Sequence, residues 1–228
     1  MTVARERAQR RVAYPTSDGK PMAETDKHRD LMFYFIEALK AFFALSGRTV
    51  YVSGNNFLFW EEGNPKARVS PDCYVVFDVT PEERNSYMAW KEGGRLPAVV
   101  FEFTSRKTQR EDTSTKFPLY EQVLRVPEYF QFDPTGDYLH PRLQGYRLGP
   151  DGRYVRLELT DDRLYSEQID LDLVMAGETL RLYDPAGGRF LPTLIESEAQ
   201  RAAVEQENER LRAELEALRR QIGRGGQP

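Results

Sequence analysis

Leu96-Pro97-Ala98-Val99-Val100-Phe101-Glu102-Phe103-Thr104-Ser105 is the most apolar run of the chain, and a single carboxylate interrupts it. Read as a strand, its alternation puts Glu102 on the face opposite Phe101 and Phe103. An ionised carboxylate in such a strand is costly unless a cation or several donors meet it. The undemanding alternative is a Glu102 that simply points to solvent, and this segment alone leaves both readings open. A polar connector, residues 105–115, follows, and a helix is predicted over 113–125 with Phe117, Tyr120, Val123 and Leu124 inward. Pro118 fits that helix if it starts near Ser114, because N–H groups of a first turn lack partners anyway. Residues 128–133 read as the next strand, closed by Pro134.

Upstream, residues 26–45 read as a helix capped by Thr25 or Asp26 and ended by Gly47. Leu31, Tyr34, Phe35, Ala38, Leu39, Phe42 and Phe43 recur in it at helical spacing. Thr49–Gly54 and Asn56–Trp60 are short β-prone runs joined through Gly54-Asn55-Asn56, the pattern of a hairpin. Residues 61–71 read as a loop, Cys73–Val79 as a strand, and 81–95 as a polar helical or loop excursion. Downstream, residues 143–159 predict a hairpin around Gly149-Pro150-Asp151-Gly152, and 166–192 more short strands. Helix, strands, helix and strands in that order indicate a mixed α/β or α+β domain.

Composition sets outer limits. With 40% hydrophobic and 12% aromatic residues the chain can build a core. A net charge of −4 argues against a general DNA-coating protein, though not against a locally basic nuclease surface. One cysteine, Cys73, excludes a disulfide framework within the chain, argues against a cysteine zinc site and suits a reducing cytoplasm. No apolar run is long enough to cross a bilayer, and the basic start lacks the apolar region of a secretory signal.

The chain divides by composition into a basic arm (residues 1–23), a folded domain (24–192), a helix (193–223) and a short tail (224–228). In the arm, Arg5, Arg7, Arg10 and Arg11 stand against Glu6; it reads as a solvated tail or as a segment that touches a phosphate backbone. In the helix, Val204, Asn208, Leu211, Leu215, Leu218 and Ile222 recur in steps of four and three. Leucine at d (211, 218) and asparagine at a (208) give the register of a short two-stranded coiled coil. Two readings compete: a coil over 204–222 that joins a second copy or a partner protein, or a solvated helix lying on its own domain.

The chemistry concentrates in Ser70-Pro71-Asp72, in Glu102, and in Asp112 with Lys116. If the strands around 73–78 and 98–104 are neighbours, Asp72 and Glu102 converge at one sheet end. Hard cations such as Mg²⁺ take one or two carboxylates plus waters and phosphate oxygens. Such an ion activates water and shields charge on phosphorus oxygens, and a lysine beside it orients the water or stabilises the transition state. Lys116 lies fourteen residues after Glu102, and Asp112 is one helical turn before it; a surface ion pair is the competing explanation. Arg106, Lys107 and Arg110 form a basic cluster beside Glu102 that would meet a substrate backbone or merely solvate the loop. His28 and His140 are too separated in sequence to suggest a catalytic histidine pair. Cys73, next to Asp72, is expected to face the other side and pack as a small hydrophobe, and Tyr120 and Tyr129 to be core. No nucleophile elbow or phosphate-cradling glycine loop is present.

The ordered pattern Ser70-Pro71-Asp72, Val99–Thr108, Glu111–Tyr120 and Val126–Pro134, within residues 24–173, resembles the Uma-two family of restriction-endonuclease-like proteins in the PD-(D/E)xK nuclease superfamily. The resemblance implies a mixed central sheet flanked by helices, with the acidic site at one edge. It implies Asp72 and Glu102 as catalytic metal ligands for Mg²⁺ or Mn²⁺. Thr104 stands where the superfamily's usual lysine would be, which implies that Lys116, on the helix, takes that role. Glu24 or His28 would face the site from the first helix, and Glu24, Asp112 and Thr104 would support it. Arg125 stands where a glycine is common, Phe130 replaces a tryptophan, and Pro118 is unusual within the segment. The implied function is a metal-dependent endonuclease acting on DNA, and the coil at residues 204–222 adds the expectation of a homodimer. The alternatives are a catalytically silent nuclease-fold module that recruits a partner through the coil, and a DNA-binding regulator without cleavage.

Overall fold

The computed structural model describes residues 12–17, 25–106 and 108–224, the last four by backbone alone. The basic residues of the arm, Glu24, Lys107, the Ile222 side chain and the tail lie outside these. The chain divides after Leu191 into a main unit and a helical unit.

The main unit opens with α1 (Asp26–Ser46). Thr25 caps it, accepting from the His28 N–H at 3.3 Å, and Gly47 ends it at φ 70°. The strands are β1 (Val50–Ser53), β2 (Phe57–Phe59), β3 (Arg68–Val69), β4 (Cys73–Phe77), β5 (Ser86–Met88), β6 (Val99–Phe103), β7 (Glu128–Phe132), β8 (Leu143–Leu148) and β9 (Tyr154–Arg156). They continue with β10 (Arg163–Ser166), β11 (Leu171–Ala176), β12 (Thr179–Asp184) and β13 (Arg189–Phe190). Six of them form a mixed central sheet in the order β1-β4-β6-β7-β8-β9, in which only β6 and β7 run parallel. A parallel neighbour requires a crossover, and α2 (residues 109–123) supplies it.

One face of this sheet carries Val52, Cys73, Val75, Val99, Phe101, Phe103, Phe130 and Phe132. It is closed by α1 and by the antiparallel sheet β10-β11-β12-β13. Phe35 of α1 is fully buried between Phe101 and Phe103, at ring distances of 5.1 and 4.9 Å. The other face carries Tyr74, Val76, Val100 and Tyr129. It is closed by α2 and by the small sheet β3-β2-β5. Strands β6 and β7 are buried on both faces, which explains why β6 is apolar but for Glu102; β7 also buries Glu128 and Gln131.

Several sequence expectations need correction. The predicted hairpin of residues 49–60 does not form: β1 pairs with β4, whereas β2 pairs with β3 and β5. At the turn, the Asn55 N–H donates to the Pro71 carbonyl, and a Cβ on Gly54 would lie 1.9 Å from the Asp72 carbonyl oxygen. The connection is therefore pinned against the chain before β4 and sends β2 into another sheet. The second helix begins at Gln109 rather than near Ser114, so Pro118 is interior to it. The helix tolerates proline there because it widens into π turns at Asp112–Lys116 and Leu119–Val123, on either side of the residue. Residues 12–17, expected in a loose arm, include a packed Tyr14. Its ring meets Phe59 and Trp90, and its hydroxyl accepts from the Gly63 N–H.

The segments read as a loop over 61–71 and as an excursion over 81–95 contain β3 and β5, and the hairpin of β8 and β9 forms as expected. Arg125 has φ 50°, in the left-handed region where glycine costs least, which gives a conformational reason for the glycine that the resemblance leads one to expect there. The second unit is α3 (Leu194–Arg224), whose first turn is closed by Thr193 and Glu196 in a reciprocal cap. No described helix is long and apolar enough to cross a membrane.

Candidate active site

β4 and β6 pair with Cys73 opposite Phe101 and Tyr74 opposite Val100. Continuing that register one residue toward the end of the sheet puts Asp72 across from Glu102, where cross-strand Cβ atoms stand about 5 Å apart. Both belong to the face that carries Tyr74 and Val100. The face opposite Phe101 and Phe103 is therefore not solvent, as the simpler reading of Glu102 required, because α2 covers it and Glu102 is 1% exposed. The site lies at one end of two interior strands rather than along an edge of the sheet.

Glu102 is held through both oxygens. Lys116 Nζ donates to Oε2 at 2.7 Å and the Tyr120 hydroxyl to Oε1 at 2.6 Å. Tyr120, expected only as core, is buried and is also a partner of the site. The signal was available in the sequence, since Lys116 and Tyr120 are four residues apart on one helix. Residues four apart in an α-helix drift around it by about 40°. A π turn is wider and takes that drift back, which keeps Asp112, Lys116 and Tyr120 directed toward β6. Asp112 lies 3.5 Å from Lys116 Nζ and accepts from the Thr104 hydroxyl at 2.5 Å. Thr104, the residue after β6, also bonds the Tyr138 hydroxyl. Tyr138 sits on the loop after β7 and had no sequence signal.

Asp72 Oδ2 accepts from the Phe103 N–H at 2.7 Å and stands 3.3 Å from His28 Nε2, on the first turn of α1. The histidine raised by resemblance therefore reaches the site, while Glu24 lies outside the described residues. Among those residues Asp72 Oδ1 has no hydrogen-bond partner. Cys73 is fully buried on the opposite face, among the apolar residues under α1. Arg106 and Arg110 are exposed, and Arg106 donates to the Asp137 carbonyl at 2.8 Å. Lys107 lies outside the described residues.

The electrostatics show a deficit of positive charge. Asp72, Glu102 and Asp112 surround one ammonium, and Glu102 and Asp112 are almost wholly buried. Burial, together with the charges of Asp72 and Asp112, outweighs Lys116 and holds the Glu102 carboxyl well above the usual glutamate range. Burial also acts to raise Asp72. The His28 hydrogen bond, the Lys116 charge and the Phe103 N–H outweigh it, and Asp72 ends below the ordinary aspartate value. Burial works against the charge of Lys116, but the three carboxylates prevail and hold it above an ordinary lysine. A buried cluster short of positive charge takes up either a proton or a cation.

The donor set suits a hard cation. It offers oxygens only, with Oδ1 of Asp72 open and lone pairs remaining on Glu102. Among the described residues no three acidic, histidine or cysteine side chains converge on one point. A cation there would therefore draw two carboxylates from the protein and complete its shell from water and substrate, as Mg²⁺ commonly does.

The Uma2 family model, described as "Putative restriction endonuclease", matches residues 3–177. A solved structure described as a "putative nuclease belonging to DUF820 from Anabaena variabilis ATCC 29413" is 13% identical. The alignment covers 66% of this chain and 76% of that one, with a TM-score of 0.47. No curated protein matches the chain.

Proposed function

Because the chain belongs to the Uma2 family of restriction-endonuclease-like proteins, we propose that it is a divalent-metal-dependent endonuclease that hydrolyses phosphodiester bonds of DNA. The observation that carries this reading is the apposition of Asp72 and Glu102 across β4 and β6, with Lys116 Nζ 2.7 Å from Glu102. Asp72 and Glu102 are the proposed ligands of Mg²⁺ or Mn²⁺. When bound, the ion supplies an activated water and shields charge on the phosphorus oxygens.

The protein's own groups do the rest. Tyr120 and Lys116 fix the Glu102 carboxylate, so little reorganisation is needed to present it. Lys116, held charged between Glu102 and Asp112, orients the attacking water or stabilises the charge that develops on the phosphate. Asp112 and Thr104 hold Lys116 in place. His28 steadies Asp72. Arg106 and Arg110, with Lys107, supply local positive charge for the backbone of a nucleic acid, which a chain of net charge −4 must concentrate near its site. The enzyme acts as a homodimer joined through the coil at residues 204–222, and its lone buried thiol suits the cytoplasm.

The test is metal binding followed by cleavage. Titration calorimetry with Mn²⁺ should show binding that Asp72→Ala abolishes, and plasmid DNA should be nicked in Mg²⁺ by the wild type but not by Lys116→Ala. Absence of Mn²⁺ binding at millimolar metal overturns the enzyme reading in favour of a silent nuclease-fold module that recruits a partner. DNA affinity that depends on salt and survives Glu102→Ala, without cleavage, would instead mark a DNA-binding regulator.

A further inference from the structure

α3 carries an exposed apolar seam. Val204, Leu211, Leu215 and Leu218 are 44–60% exposed. In heptad terms Asn208 and Leu215 take a positions, and Val204, Leu211 and Leu218 take d positions. The charges beside the seam follow a pattern of their own. Glu207 and Glu214 take g positions, and Arg212 and Arg219 take e positions.

That pattern discriminates between the two ways of pairing identical helices. In a parallel, in-register pair, each g residue faces the e residue five positions later on the other helix. Glu207 then meets Arg212 and Glu214 meets Arg219, on both sides of the seam. In an antiparallel pair, g faces g and e faces e, so glutamates meet glutamates and arginines meet arginines. Asn208 adds to this, because a single asparagine at an a position selects two strands and one register, at some cost in stability. Within α3, Glu207 also lies 2.6 Å from Arg210, but both groups are more than half exposed, and such a contact is too weak to withhold Glu207 from a partner.

Resting on the homodimer reading above, we propose that α3 pairs with α3 of a second copy as a parallel, in-register two-stranded coil. The chain's connectivity then attaches both main units to the same end of the coil, so two copies of the Asp72–Glu102 site are tethered together. The apolar seam spans under three heptads and is marginal alone, so association is concentration-dependent and is measured on the full chain.

Two variants test the orientation. Sedimentation equilibrium of the wild type should show a monomer–dimer equilibrium. Glu207→Arg with Glu214→Arg turns every cross-seam pair repulsive and should weaken dimerisation at least about tenfold, as expected for four exposed pairs. Val204→Cys should form a disulfide-linked dimer under mild oxidation, since in a parallel in-register coil residue 204 faces itself and Cys73 is buried. In an antiparallel coil the two introduced thiols would stand roughly 27 Å apart, far beyond the roughly 7 Å that a disulfide can span between Cα atoms. A dimer that resists this cross-link, or is indifferent to the charge reversal, overturns the orientation while the homodimer stands. A monomer at every concentration overturns both.

Discussion

Glu102 illustrates how a residue's environment decides its role. A carboxylate in an apolar strand is tolerable here because Lys116 and Tyr120 meet both its oxygens. Of the two, Tyr120 is the more informative to change. Tyr120→Phe keeps the buried ring and removes only the donor to Oε1, leaving a buried carboxylate oxygen without that partner. Loss of such a supporting hydrogen bond typically costs about 10–100-fold in metal affinity or activity, with about 1–3 kcal/mol of stability. Mn²⁺ calorimetry beside urea unfolding measures both. Unchanged metal affinity in a folded variant would show that Tyr120 is only core.

At the scale of elements, the site depends on two pieces of unusual backbone. One is α2, whose π turns keep Asp112, Lys116 and Tyr120 directed at β6 despite an internal proline. The other is the connection from β1 to β2. A methyl group on Gly54 would lie 1.9 Å from the Asp72 carbonyl oxygen and 2.7 Å from its carbon, both backbone atoms that cannot turn away. Gly54→Ala must therefore displace the segment that carries Asp72. The expected outcome is a loss of about 1–3 kcal/mol from overpacking, together with Mn²⁺ affinity weakened beyond what the stability change explains. A variant with wild-type urea midpoint and wild-type metal affinity would show that the segment yields freely.

For the whole molecule, the loop after β7 is organised by Asp133. Its carboxylate accepts from the N–H groups of Thr135, Gly136, Tyr138 and Leu139 and from the Thr135 hydroxyl. Burial would raise its pKa, but the hydrogen bonds from Tyr138, Leu139 and Thr135 outweigh burial and hold it below the ordinary aspartate value. A folded-state pKa below the unfolded one contributes stability that is fully present above the unfolded value and is lost as pH falls through the folded one. Asp133→Asn should therefore be less stable than the wild type at neutral pH. The gap in urea midpoint should narrow only as pH drops below about 4; a gap constant down to pH 2 would refute the assignment.

Much of this architecture was legible in the chain itself. The helical spacing of α1, the apolar runs of β4 and β6, and the glycine turn between β8 and β9 are local patterns, and local patterns follow from backbone geometry and side-chain chemistry alone. The carboxylates at 72 and 102 stood out for the same reason, since ionisable groups at or within apolar strands are conspicuous, whereas Lys116 rested mainly on the family resemblance. What only the tertiary structure decided was pairing and coverage. Nothing local says that β1 leaves β2 for β4, that α2 starts four residues early and widens around Pro118, or that the far face of β6 is roofed. Nor does it say that Tyr138 reaches the site. Each depends on contacts between residues remote in sequence, and such contacts are set by how the layers close over one another rather than by the residues that take part in them.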